Sequence, residues 1–131
     1  MPVELEMVLR LLLSAVLGGI LGYQRWKAEK PVGLRDLILI CTGSALFTIA
    51  SISGFANADP SRVAAGIVTG IGFLGAGAII RRGGGIVGGV TTAATIWVAA
   101  GIGLAAGAGQ YLIAVVMTAL TFVVLLLPHN R

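Results

Sequence analysis

The sequence predicts an all-α integral membrane protein, a bundle of about five transmembrane helices, and three observations predict it. Only 11% of the residues are charged and 57% are hydrophobic, where a soluble domain carries about a quarter charged. Mean hydropathy is +1.01. Twenty of the 131 residues are glycine, which is commoner in membrane helices than in soluble ones. A spanning helix needs roughly 20 residues, so five would occupy about 100 and leave about 30 for every loop and both ends. No folded extramembrane domain fits there. A soluble enzyme, a nucleic-acid-binding domain and a disulfide scaffold are excluded together, and residues 1–131 read as a single membrane domain.

The first span is predicted over 7–23, with Arg10 near its start. Acids precede it (Glu4, Glu6), where a signal peptide has a basic leading region, so it should stay in the mature protein. The second span covers 37–55 and the third 63–80, both without a charge. No charged residue occurs between Gly83 and Pro128, which is too long for one span. The glycine-rich stretch Gly101–Gln110 is the natural break, giving spans over 91–106 and 111–127. The alternative is four spans with a re-entrant segment at Arg81–Thr92, where glycines allow the chain to dip to membrane depth. Asp36 is expected to open the second helix. Asp59-Pro60 should open the third, with a cap followed by proline at the first helical position. Thr91 and Thr92 can cap the fourth, and Arg62 lies within reach of Asp59 for a surface pair.

Charge sets the expected orientation. With odd connections inside, the cytoplasmic side holds Arg25, Lys27, Lys30, Arg35, Arg81, Arg82 and Arg131, and the other side holds Arg10 and Arg62. Seven basic residues against two put the N-terminus outside and the C-terminus in the cytoplasm. The formal charge of +4 has the same bland origin and implies no nucleic acid, since no basic run is interleaved with aromatics. Cys41 is the only cysteine and sits in an apolar stretch, so it says nothing about redox compartment.

Small residues dominate the candidate functional positions. Gly66, Gly70 and Gly77 share one face of the third helix, and Gly72 with Gly75 lies on a second. Gly18 with Gly22 and Gly101 with Ala105 form similar strips. Such residues let helix backbones approach where no hydrophobic drive exists between helices. Within one chain or between copies is left open, and self-association is expected of so small a bundle. All five acids fall at predicted interfaces or ends, so no metal site or cofactor is implied, and magnesium would want one or two carboxylates. The deep polar groups are hydroxyls (Thr42, Ser44, Thr48, Ser51, Thr69, Thr95, Thr118). Lys27, Lys30, Arg81 and Arg82 share the cytoplasmic rim with Arg25 and Arg35, where anionic lipid is the expected contact. No nucleophile–base pair argues for catalysis: His129 is the only histidine and stands near the end.

Three blocks then carry a family resemblance. Lys30-Pro31-Val32-Gly33-Leu34-Arg35 resembles a KPAGLR segment after the first helix. Asp59 to Ala65, followed by Gly70 to Gly77, resembles a DPxRxAA…GIGFLGAG block, and Thr91 to Trp97 resembles TTAATxW. This is similar to the MgtC/SapB family of bacterial inner-membrane proteins, from about Gly18 to Gly107. The resemblance implies a plasma-membrane protein of about five spans, non-enzymatic and regulatory, linked to magnesium homeostasis and growth at low magnesium. It carries over to Arg25, Gly33, Arg35, Asp59, Arg62, Gly70, Gly72, Gly75, Gly77, Thr91, Thr92 and Trp97. Their expected roles are arginine on phosphate, Asp59 as a cap, glycines at contacts and Trp97 filling a core. Two positions depart from the family pattern: Gln24 stands where glutamate is usual, and Gly66 where glutamine is. Many members also carry a soluble C-terminal domain, and this sequence resembles a short form without it. Three activities compete: regulation through helix contact with itself or a larger membrane protein, a small oligomeric channel for an anion or magnesium with its path between subunits, and lipid binding at the basic rim.

Overall fold

A computed structural model describes residues 2–56, 59–81 and 87–128. Five helices follow one another: α1 (Val3–Lys27), α2 (Leu34–Ser53), α3 (Ser61–Ala78), α4 (Val90–Gly107) and α5 (Tyr111–Leu125). The first four are long and apolar enough to cross a membrane. The fifth has 15 residues, about 22 Å at 1.5 Å per residue, shorter than a roughly 30 Å hydrocarbon core. Two short strands, β1 (Ile80–Arg81) and β2 (Val87–Gly88), pair antiparallel between α3 and α4. The described part of the segment expected as a possible re-entrant loop is therefore this pair and the start of α4. Residues 82–86, including Arg82, lie outside the described residues.

The helices begin and end where local chemistry dictates. α1 is longer than the span expected from hydropathy, starting at Val3 behind Pro2 with Glu4 and Glu6 in its first turn, where the helix dipole favours acids. It ends in a Schellman turn: the Lys30 N–H donates to Arg25 O and the Glu29 N–H to Trp26 O, both at 3.0 Å. Glu29 takes the left-handed position at φ 57°, where glycine is usual. The same turn closes α4 with the favoured residue. Gly109 is at φ 87°, with Gln110 donating to Ala105 O at 2.9 Å.

Three expected helix starts are corrected. α3 opens at Ser61, with Pro60 as the N-cap residue and not its first helical position. α2 opens at Leu34, not after Asp36, and Asp36 sits in its first turn. There its carboxylate accepts from the Gly33 N–H at 3.4 Å, since only a longer-range reach back from the third helical position is open to it. α4 opens behind Gly89 at φ 89° without a side-chain cap, so Thr91 and Thr92 are inside the helix.

α4 is the hub. It is the most buried of the four long helices and α3 the least, with 56% and 11% of their apolar windows buried. α4 touches every other helix, and α1, α2 and α4 pack mutually against one another. The contact is backbone against backbone. A Cβ on Gly18 would stand 2.7 Å from Leu37 O and 2.8 Å from Cys41 Cβ, and one on Gly22 would stand 2.6 Å from Leu34 Cα. On the other side of α2, a Cβ on Gly103 would collide with Cys41 O, and one on Gly107 would lie 2.7 Å from Ala45 O. Cys41 is thus wholly buried between two glycines. The small strip that α4 uses here is Gly103 and Gly107. The expected Gly101 has nothing within 4 Å.

These distances separate two substitutions on one helix. Gly103→Ala forces α2 and α4 apart and should destabilise the bundle by about 1–3 kcal/mol, the usual cost of overpacking. Gly101→Ala meets open space and should stabilise by up to about 1 kcal/mol through helix propensity. Reversible unfolding in mixed micelles checks both signs.

Candidate functional site

Three groupings of the expected residues matter. At the end of the bundle where α1 stops and α4 starts, Arg25 turns inward. Its side chain was expected at an interfacial rim, yet the residue is only 2% exposed. The reason is its place on the helix: Leu17, Leu21 and Arg25 recur at four-residue spacing on the buried face of α1. Arg25 Nη2 donates to Thr92 Oγ1, which is buried too, and Nε reaches Val32 O at 3.5 Å. Thr92 is an arginine partner, not a cap. Thr91 is exposed on the same turn. Beside Arg25, Gln24 donates through Nε2 to Leu125 O at 3.5 Å, and its Oε1 is buried without a partner.

At the opposite end of α1 an unexpected cluster holds the α4–α5 turn. Arg10 donates to Glu6 Oε2 at 2.6 Å, to Gly107 O at 2.9 Å and to Tyr111 Oη at 3.0 Å. The Tyr111 hydroxyl donates in turn to Glu6 Oε2 at 3.0 Å. Glu6–Arg10 is the only ion pair among the described residues. Its sequence signal was an acid and a base four apart on one helix, while the partnership with Tyr111 spans 105 residues and has no local signature.

The third grouping is α3 itself. Within the chain, Gly75 alone of the expected packing glycines meets a neighbour, Ala93 Cβ at 3.6 Å. A Cβ on Gly66, Gly70, Gly72 or Gly77 would meet nothing within 4 Å among the described residues. α3 leans on α4 and scarcely touches α2, leaving a groove of about 600 Å³ between α2 and α3 lined by Gly43, Gly66, Gly70 and large apolar side chains. A second cleft of about 280 Å³ lies between α3, α4 and α5. Trp97 lines that cleft and is 56% exposed. It does not fill the core, because the buried side of α4 is the one that carries Thr92, Ile96, Ala99 and Gly103, and Trp97 lies off it.

The remaining polar positions are accounted for singly. Asp59 accepts from the Ser61 N–H at 3.0 Å and the Ser61 hydroxyl at 2.8 Å. These bonds, with the hydroxyl foremost, hold its carboxyl below the usual carboxylate range. Arg62 is exposed and forms no pair with Asp59. Lys27, Lys30 and Arg35 are exposed at the Arg25 end. Arg81 belongs to β1. Most deep hydroxyls donate back to their own helix, as Thr48, Thr95 and Thr118 do. Ser44 instead crosses to Ala100 O at 2.6 Å. No group of three metal-ligating side chains occurs among the described residues.

A model of the MgtC family matches residues 11–130. The chain belongs to the MgtC family. Among its relatives, YhiD of Escherichia coli K12 is 46% identical over 133 residues, covering 95% of this chain and 61% of YhiD. SapB of Bacillus subtilis is 38% identical over 117 residues, covering 83% of this chain and 50% of SapB. MgtC of Salmonella typhimurium strain LT2 is 44% identical over 104 residues, covering 79% and 44%. The chain thus spans between 44% and 61% of the length of these curated relatives. No solved structure matches it. Family membership and four helices of spanning length make this MgtC-family chain a multi-pass bacterial membrane protein.

Asp59 gives a pH test. Its pKa is depressed in the folded state, so the contribution of its bonds from Ser61 is complete above the ordinary carboxylate pKa and is lost as pH falls through the lower folded value. At neutral pH, Asp59→Ala should speed amide exchange at Ser61 and in the first turn of α3. The difference from the unsubstituted chain should vanish below the folded pKa. Exchange followed by mass spectrometry across that range checks it.

Proposed function

We propose that this chain is a non-catalytic protein of the bacterial plasma membrane, linked to magnesium homeostasis, that works through helix contact made by the open face of α3. The magnesium link rests on its relatives, since YhiD of Escherichia coli K12 is named as a candidate magnesium transporter. The basic residues at the Arg25 end favour a cytoplasmic position for that end, hence an outside N-terminus.

One observation carries the contact reading. A Cβ on Gly66, Gly70, Gly72 or Gly77 would meet nothing within 4 Å among the described residues, although each glycine lowers helix stability by about 1 kcal/mol relative to alanine. Elsewhere in this bundle Gly18, Gly22, Gly103 and Gly107 sit where backbones meet, while Gly43 and Gly101 are single open positions and only α3 carries a run of them. A helix received beside Gly66 and Gly70, over the groove between α2 and α3, would give the α3 glycines the same use. A second copy of the chain is the partner proposed, and a larger membrane protein is the competing one.

Cross-linking tests this directly because Cys41, the only native cysteine, is buried. Phe73 is 81% exposed on α3 and Leu112 is 74% exposed on α5. Phe73→Cys should give disulfide-linked dimers in membranes, and Leu112→Cys should not. Adding Gly70→Leu should weaken dimerisation about tenfold, equivalent to about 1.4 kcal/mol, on the scale of membrane helix contacts. Equal yields at both cysteines, or no effect of Gly70→Leu, would refute the α3 interface.

A second reading has its own observation. Thr69 is exposed on α3 and bonds only to Ala65 O at 3.2 Å, so copies joined along α3 would place hydroxyls and glycine backbone between them. Such a path would conduct an ion between subunits. Selective flux of magnesium or an anion into proteoliposomes, lost with Gly70→Leu, would favour it over contact alone.

A further inference from the structure

We propose that Arg25 anchors a phosphate site at the end of the bundle where α1 finishes and α4 begins. Arg25 lies on α1, away from the open face of α3. Arg25 is a buried guanidinium, and a buried charge is costly unless paired. No acidic side chain of the chain reaches it. The five acids are Glu4, Glu6, Glu29, Asp36 and Asp59. Glu6 is held by Arg10 and Tyr111 at the far end of α1, Asp36 by the Gly33 N–H and Asp59 by Ser61. Glu4 and Glu29 are exposed and form no ion pair. The side-chain partner Arg25 has, the Thr92 hydroxyl, is neutral.

The surroundings raise the demand for an anion. Thr92 is the third residue of α4, which has no side-chain cap, so Arg25 lies against the positive end of a helix dipole. Two positive features therefore meet inside the bundle, and the acceptors bonded to Arg25 among the described residues, Thr92 Oγ1 and Val32 O, are neutral. An anion placed there would be met by a guanidinium fork, a hydroxyl and the N–H groups of a helix start, all donors of the kind that bind phosphate. The Arg25–Val32 bond at 3.5 Å is at the outer limit of hydrogen bonding and is the one a phosphate oxygen would replace. Exposed Lys27 and Lys30 flank the site and would concentrate anions near it. The phosphate is either free inorganic phosphate or the diester of an anionic lipid headgroup.

Thermal unfolding of the full chain in a neutral detergent tests this, with inorganic phosphate, phosphatidylglycerol and phosphatidylcholine as separate probes and chloride at matched ionic strength as control. Phosphate or phosphatidylglycerol should raise the melting temperature by several degrees, saturably, and phosphatidylcholine should not. A shift with inorganic phosphate identifies the free ion as sufficient, and a shift with phosphatidylglycerol alone identifies the headgroup. Arg25→Gln should abolish the shift and, without anion, melt no lower than the unsubstituted chain. Arg25→Lys keeps the charge but loses the fork, and should need about tenfold more anion for the same shift. The double variant Lys27→Gln, Lys30→Gln should retain the shift. No shift with either anion, or its loss in the double variant, overturns the site. So does an Arg25→Gln chain that fails to fold or melts lower by the same margin with and without anion, since the guanidinium is then a structural strut.

Discussion

The bundle depends on the approach of α1 and α4 to the two sides of α2 at backbone distance. In lipid the tails are as apolar as leucine, so helices gain nothing by hiding apolar side chains from their solvent and must gain by dispersion and by bonds between helices. Gly18 and Gly22 on one side, and Gly103 and Gly107 on the other, let both neighbours reach the α2 backbone around Leu34, Leu37, Cys41 and Ala45. A side chain at any of the four would have to displace a carbonyl or a backbone carbon. The Ser44 hydroxyl donating to Ala100 O then adds a direct bond across the α2–α4 contact.

Two polar locks at the ends follow from that packing. At one end Arg10 reaches Gly107 O, a carbonyl near the end of α4 left over by the helix geometry, and Tyr111 and Glu6 complete a closed set of partners. At the other end Arg25 meets Thr92 across the same helix pair, with no acid to complete it. The asymmetry is physical, not positional. One arginine is partly exposed, paired and fully used, while the other is buried and charged among neutral groups. That contrast, more than the count of basic residues on a rim, distinguishes the Arg25 end as a place where an anion would matter.

α3 stands apart from this core. Its contact is with α4 through Gly75 and Ala93, and grooves run along both of its sides. Unused glycines and an outlying helix belong to one feature, since α3 is held too loosely to bring those glycines against its described neighbours. Regulation by contact and conduction between copies both draw on this face, and they differ in whether the joined faces close against each other or leave a path. The Arg25 junction lies on other helices and can operate with either.

The sequence by itself determined the five helices and only some of their ends. Runs of uncharged residues located five helical segments, the glycine-rich Gly101–Gln110 stretch marked the α4–α5 turn, and Asp59 announced the start of α3. Three long motifs carried the family. Tertiary structure alone decided which small residues are contacts and which polar residues are inside. Gly18 and Gly70 look alike in the sequence, yet one lies against Leu37 O and the other faces open space. Arg25 and Arg35 both sit beside the first connection, yet only Arg25 is buried. In a soluble protein, polarity separates the inner face of a helix from the outer one. In this bundle both faces are apolar, so sequence pattern marks where a helix runs without marking which side of it meets another helix.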